Sequence, residues 1–282
     1  MKKLIALLLA LLMLSCSFVS CSDDKEDLVG FDIDLARAVF EKLDIDVEFQ
    51  IITWSQKEAN LESKTIDCIW NGMTITEERL EMMEISLPYL VNQQVAIIRK
   101  ADAAKYTDIA SMSGAIMTAE GGSAGESQIK DMEANKMLIG KEYTPSDTQV
   151  NALVALNAKT ADVAIMDSTL ANYYLAVDSA YSKNLQLIDD LSLADEEYGI
   201  AARKGSGLIK KINEALIELT KDGTVEAIAK KYGLESRVII DTEAVIEPLT
   251  DAEKADWDYI QSQGKVIVGY TEFAPIAYRE SK

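Results

Sequence analysis

The chain has 282 residues, 48% of them apolar and only four of them proline, enough to bury one large core or two mid-sized ones and too apolar to be disordered. Its net charge of −19 would be repelled by a phosphate backbone, and without a histidine it has no imidazole base or ligand, so nucleic-acid binding and zinc chemistry both drop out. Of the three cysteines, Cys16 and Cys21 lie in the first 21 residues and Cys68 stands alone in the body, so no structural disulfide is expected.

The N-terminus runs Met1, Lys2, Lys3, then apolar from Leu4 to Leu14, then small residues in "SCSFVSCSDDKED". This reads as a secretory signal over residues 1–21, too short to cross a bilayer as a helix, with a polar tether at 22–27. "FVSC" resembles a bacterial lipobox with Cys21 as the acylated residue; "MLSC" at Cys16 is the competing cut, and a plain cleaved signal is the third reading. The expected location is the outer face of the bacterial membrane by a lipid anchor, or the periplasm.

From Leu28 onward, short apolar runs alternate with amphipathic stretches of helical length. The runs at 47–52, 67–70, 94–99, 115–118, 162–166 and 198–203 read as strands, and "FDIDLARAVFEKL", "SQIKDMEANKM", "TQVNALVALNA" and "LIKKINEALIELTKDG" read as helices. The pattern is α/β. After Pro248, "LTDAEKADWDYIQSQG" carries a capping box at Thr250 and Glu253 and a glycine stop at Gly264, and delivers a last β-branched run, Val266 to Val268, followed by Tyr270 and Phe273.

Four short motifs carry chemistry beside a plain alternative. "IWNGMTITEERLE" ends a strand at Gly72 and Thr74 and opens a helix near Thr76 with Arg79 in its first turn, where a cation opposes the helix dipole. The guanidinium is either a carboxylate clamp or the partner of Glu77, Glu78 or Glu81 on a solvated face. "AEGGSAGESQI" places Ser123 and Glu126 as a capping box whose free amides suit an anion, or form an ordinary turn. "IMDSTLAN" leaves Asp167 at a strand end, to receive an ammonium or to cap a helix. "GFDIDLA" lacks the oxygen ligands and glycine of a calcium loop and reads as a helix start.

Taken in order, "LVGFDIDLARAV", "ITWSQKEANLESKTIDCIWNGMTITEER", "SLPYLVNQQVAIIRK", "GGSAGES", "ADVAIMDS", "YGIAARKGS" and "LTKDGTVEAIAKKYG" resemble the solute-binding proteins of amino-acid ABC transporters, the polar amino-acid family, over nearly everything from Leu28 to Leu234. The resemblance implies a two-lobe α/β periplasmic-binding-protein-like fold of type II. Its hinge crossings fall near Leu90 to Gln94 and Ala194 to Tyr198, with lobe one at 28–93 and 195–282 and lobe two at 94–194. It places the α-carboxylate arginine on Arg79 with the neighbouring hydroxyl on Thr74, and the ammonium's carbonyl on Gly72 with its carboxylate partner on Asp167. The helix-start amides fall on Ser123 and Ala124, and the lobe-one aromatic on Trp54. The family's first strand resembles "KVIVGYTEFAPIAY", which here comes last, so the expectation is a circularly permuted order with that strand inserted in the lobe-one sheet; the alternative is the stub of a further tandem copy.

The family often has an aspartate where Tyr270 aligns, facing basic ligands. Its replacement counts against lysine and arginine, while Glu272 and Glu120 offer other negative walls. Trp54, Trp70, Asn71, Tyr270 and Phe273 suggest a pocket for a modest polar or sulfur-containing side chain, Trp70 being equally a core residue. The expected activity is therefore non-catalytic: a monomeric receptor without cofactor or metal that captures an L-amino acid and hands it to an ABC permease. Glutamine or another neutral polar residue ranks first, cystine next and basic residues last. The alternatives are a ligand-sensing or orphan module and an exported dehydratase-like enzyme, for which no carboxylate pair stands outside evident surface runs such as Asp189–Asp190 or "DEE" from 195.

Overall fold

The computed structural model describes residues 27–137 and 142–280. The signal, most of the tether, and Cys16 and Cys21 lie outside the described residues. In chain order come β1 (Asp27–Val29), α1 (Phe31–Lys42), β2 (Asp46–Ile51), α2 (Lys57–Glu62), β3 (Cys68–Thr74), α3 (Glu77–Met82), β4 (Met83–Ile85) and β5 (Leu90–Arg99). There follow β6 (Ile116–Glu120), α4 (Ala124–Ala134), β7 (Glu142–Ser146), α5 (Gln149–Asn157), β8 (Val163–Asp167), α6 (Ser168–Val177), α7 (Ser179–Asn184) and β9 (Leu185–Arg203). The remainder is α8 (Leu208–Lys221), α9 (Thr224–Tyr232), α10 (Asp251–Gln263), β10 (Lys265–Tyr270) and β11 (Tyr278–Glu280), which pairs with β1.

Helix α1 shows how local chemistry sets these bounds. Asp32 and Asp34 sit in its first turn and Lys42 in its last, each with the sign the helix dipole favours. Phe31, Leu35 and Val39 recur every four residues and are fully buried. Before it, Gly30 adopts φ +132 with its Cα against the Ile276 carbonyl; a Cβ there would lie 2.2 Å from that oxygen. Helix α10 begins on the full capping box of Thr250 and Glu253 and ends on Gly264 in the left-handed region, as its sequence demands.

The strands form a nine-stranded sheet in the order β2-β10-β3-β9-β5-β8-β6-β7, with β4 paired to β9. The architecture is a two-lobe α/β fold. Strand β10 runs parallel to both neighbours: Lys265 faces Asp46 and Tyr270 faces Ile51 on one side, and Val268 faces Cys68 on the other. The late β-branched run is therefore an interior strand, with Val266 and Val268 fully buried. Strands β5 and β9 cross antiparallel, Leu90 opposite Tyr198 through Gln94 opposite Ala194, and their register breaks just beyond Gln94. One core gathers Phe31, Trp70, Leu216 and Val268; a second gathers Ile98, Met117, Ile129 and Ile165.

Candidate functional site

Arg79 is held in place from its own helix outward. Thr76 caps α3 by accepting the Arg79 amide at 3.2 Å, which turns the side chain inward to 8% exposure. Its guanidinium donates to the carbonyls of Thr74 at 2.7 Å and Gly122 at 3.2 Å. Among the described residues no carboxylate pairs with it directly, so the reading in which it joins Glu77, Glu78 or Glu81 on a solvated face is overturned. Burial pulls its pKa down, while Glu58, Glu196 and Asp167 pull it back. A guanidinium carries five N–H donors, and these two bonds leave others for an incoming carboxylate.

The start of α4 faces the same space. Ser123 Oγ accepts the Glu126 amide at 3.2 Å, while the Glu126 carboxylate reaches back to the Gly122 amide at 2.9 Å, one residue before its usual target in a capping box. The first amides of the helix, at Ala124 and Gly125, have no acceptor within the helix. Lys57, 2% exposed, closes the wall: its Nζ lies 5.0 Å from the Trp54 ring centre, 2.8 Å from Glu58 and 3.1 Å from the Gly122 carbonyl.

Asp167 ends β8 and caps nothing with its side chain. One oxygen accepts from Asn92 at 2.6 Å, Gln94 at 3.0 Å and Tyr198 at 2.8 Å, and the other accepts from Gln149. Asn92 and Gln94 give their second N–H to Glu196, at 2.9 and 3.0 Å. Two amides on one crossing strand thus bridge two buried carboxylates. Burial raises both acids, with Glu196 adding to the rise at Asp167. On the opposite wall, β3 bulges between Ile69 and Met73, and Gly72 there takes φ +58. Its amide donates to Asp32 at 2.7 Å, and a Cβ on it would stand 2.7 Å from the Phe273 ring.

Trp54, Asn71, Gly72, Thr74, Arg79, Glu120, Ser123, Ala124, Gln149, Asp167 and Phe273 line one narrow pocket. It holds cationic, anionic and aromatic walls together, an arrangement that can neutralise both ends of a small zwitterion.

Residues 17–235 match the family described as bacterial extracellular solute-binding proteins, family 3. The chain belongs to that family. The amino-acid-binding protein AabA of Dichelobacter nodosus is 31% identical over 222 residues, which cover 76% of this chain and 83% of that one. The fold is similar to a substrate-binding protein of an ABC uptake transporter from Streptococcus pneumoniae with bound histidine, at TM-score 0.65 and 38% identity over 72% of this chain and 82% of that one. It is likewise similar to an ancestral arginine-binding protein bound to arginine, at TM-score 0.66 and 33% identity over 74% and 90%. These likenesses establish a periplasmic-binding-protein-like fold and kinship with transport receptors.

Of the ten residues picked from the sequence of this family 3 solute-binding protein, nine line the pocket. Tyr270 does not. It shares strand parity with Val266 and Val268, whose side chains face the core, and so it packs on Ile33 and Ala277 with Phe49 edge-on at 6.4 Å. Trp70 is likewise core, against Phe40 and Tyr89. Glu272 pairs with Arg279, away from the pocket, whereas Glu120 faces it. The reading of "DEE" from 195 as a surface run also needs correction: Asp195 and Glu197 are exposed, but Glu196 between them is 9% exposed. Period-two alternation was the signal for it. Gln149 and Lys57 had no such signal, each lying in a polar helix start.

Proposed function

We propose that this protein is an extracytoplasmic receptor that binds one L-amino acid and delivers it to an ABC permease. The observation that carries the reading is the placement of Arg79 and the α4 amides facing Asp167 within a single narrow pocket. In this reading the ligand carboxylate meets Arg79, Ser123 and Ala124, and its ammonium meets Asp167, Thr74 and the Gly72 carbonyl. Buried charges need such complete pairing, because an unpaired one costs several kcal/mol. Lobe one is taken as 28–93 and 195–282 and lobe two as 94–194, supported by the crossing of β5 and β9.

Calorimetry on Arg79→Met tests the site. Removing one partner of a buried pair costs roughly 3–5 kcal/mol, so binding should weaken at least about 100-fold. Unchanged affinity would overturn the assignment. The Asp167 and Glu196 pair is the one feature that favours an enzyme of the same fold, and incubation of bound ligands with a search for products decides between capture and turnover.

Cys21 is taken as the lipidated residue, and loss of fatty-acid labelling in Cys21→Ser but not Cys16→Ser would support it. The order of elements is taken as a permuted form of the family's, supported by β10 lying between β2 and β3.

A further inference from the structure

Glu120 is the charged wall of the pocket that the zwitterion leaves unanswered. It ends β6 and is 4% exposed; its carbonyl accepts the Ser123 amide at 3.2 Å, while its carboxylate receives no hydrogen bond from the described residues. The other charged groups of the site are already engaged. Lys57 is matched by Glu58 at 2.8 Å, and Asp167 and Glu196 share the amides of Asn92 and Gln94. Arg79 is the cation left for a ligand carboxylate. Once ionised, the three buried carboxylates of Glu120, Asp167 and Glu196 therefore face one cation that has no acid of its own. A zwitterion adds no net charge, so it leaves this imbalance in place; a ligand with one further positive charge reduces it.

We propose that Glu120 receives a cationic group at the far end of the ligand's side chain, so that the site selects amino acids of net positive charge, with arginine and lysine as the type. The inference rests on the amino-acid reading of the same pocket. The aromatic walls fit it, since Trp54 and Phe273 line the pocket and can flank an aliphatic stem. So does the state of the acid itself. Burial first and Asp167 second push Glu120 up to about 8, with Lys57 opposing, which is the behaviour of a carboxyl that lacks a counter-ion. The preference for neutral ligands drawn from Tyr270 loses its basis, because that ring lies outside the pocket.

The test compares ligands that differ by one charge. Arginine and citrulline have nearly the same shape, and citrulline is neutral. With ligand-stripped wild-type protein at pH 8.5, calorimetry should show arginine bound at least about 100-fold tighter than citrulline, equivalent to about 2.8 kcal/mol. Glu120→Gln should cut arginine affinity, spare citrulline and bring the two within about threefold. Equal affinities in the wild type would overturn the proposal, as would a ratio unchanged in Glu120→Gln. The ligand comparison needs no variant, so misfolding of Glu120→Gln leaves it decisive. Agmatine, which is arginine without its carboxylate, separates the two claims: agmatine bound as tightly as arginine sinks the zwitterion reading and leaves Glu120 standing. If no L-amino acid binds at all, both fall.

Discussion

Asp32 gives the sharpest test of the physical chemistry, because it is a fully buried acid in the first turn of α1 that touches the pocket only through Gly72. One of its oxygens accepts from the Gly72 amide at 2.7 Å and the Tyr89 hydroxyl at 2.8 Å; the other has no partner. Burial lifts its pKa from an ordinary 3.8 to about 7, against the lowering effect of those two bonds. The folded chain then holds a proton that the unfolded chain has lost, so stability falls as pH rises through that interval and levels off above it. At about 1.4 kcal/mol per unit, the loss from this group approaches 4 kcal/mol between pH 4 and pH 8. Asp32→Asn keeps an oxygen for both donors and removes the titration. Urea unfolding of both proteins from pH 4.5 to 8.5 should show the variant gaining on the parent by about 1 kcal/mol per unit, up to near pH 7. The rises at Glu120 and Asp167 occur in both proteins and cancel in the difference. A difference that stays flat across that range would refute the argument.

Gly72→Ala must place a Cβ 2.7 Å from the Phe273 ring and 3.0 Å from Tyr198 at φ +58, so it should lower the unfolding free energy measured in urea by about 2–4 kcal/mol and weaken ligand binding. Gly114→Ala, also left-handed at φ +79 but with nothing within 4 Å, isolates the backbone part and should cost about 1 kcal/mol with binding intact. Removing everything after Leu249 takes β10 from the middle of the sheet and Phe273 from the pocket, so cooperative melting and binding should both disappear; a monomer that melts at the parent temperature and binds equally well would refute the interior role of that strand.

Where one periodicity ran unbroken, the sequence was easy to read. Helix α8 and the strands around Val163 to Asp167 and Val266 to Val268 appear close to where their patterns put them. The inward turn of Arg79 was half legible, since a cation opposing a helix dipole demands a reason, though spacing alone left the solvated face open. Strand β9 was read only over its last third because Asp189 and Asp190 look like a turn; Asp190 does adopt φ +57, yet the ladder continues past it. Glu196 was hidden for a related reason, as three consecutive acids look solvated until the alternation of the strand is imposed on them. Tyr270 failed the other way: likeness to relatives pointed it at ligand, while its parity with Val268 turned it into the core. The charge of the pocket is a property of three strand ends meeting, and no single segment of sequence carries it.

The interior position of β10 also governs when this protein can fold. Ile267 donates its amide to Asp67 across 200 residues of sequence, and β2 and β3 do not pair with each other without the strand between them. During synthesis at roughly 5–20 residues per second, both wait about 10–40 s for their neighbour. Pairing at such separations is also slow in itself, since loop closure must precede any gain from contact. For that interval the nascent chain exposes two strand edges that would zip onto any matching strand nearby. Copies of this chain, each at −19, repel one another through it. The acidity that excludes nucleic acid thus also protects a half-built sheet until its last strand arrives.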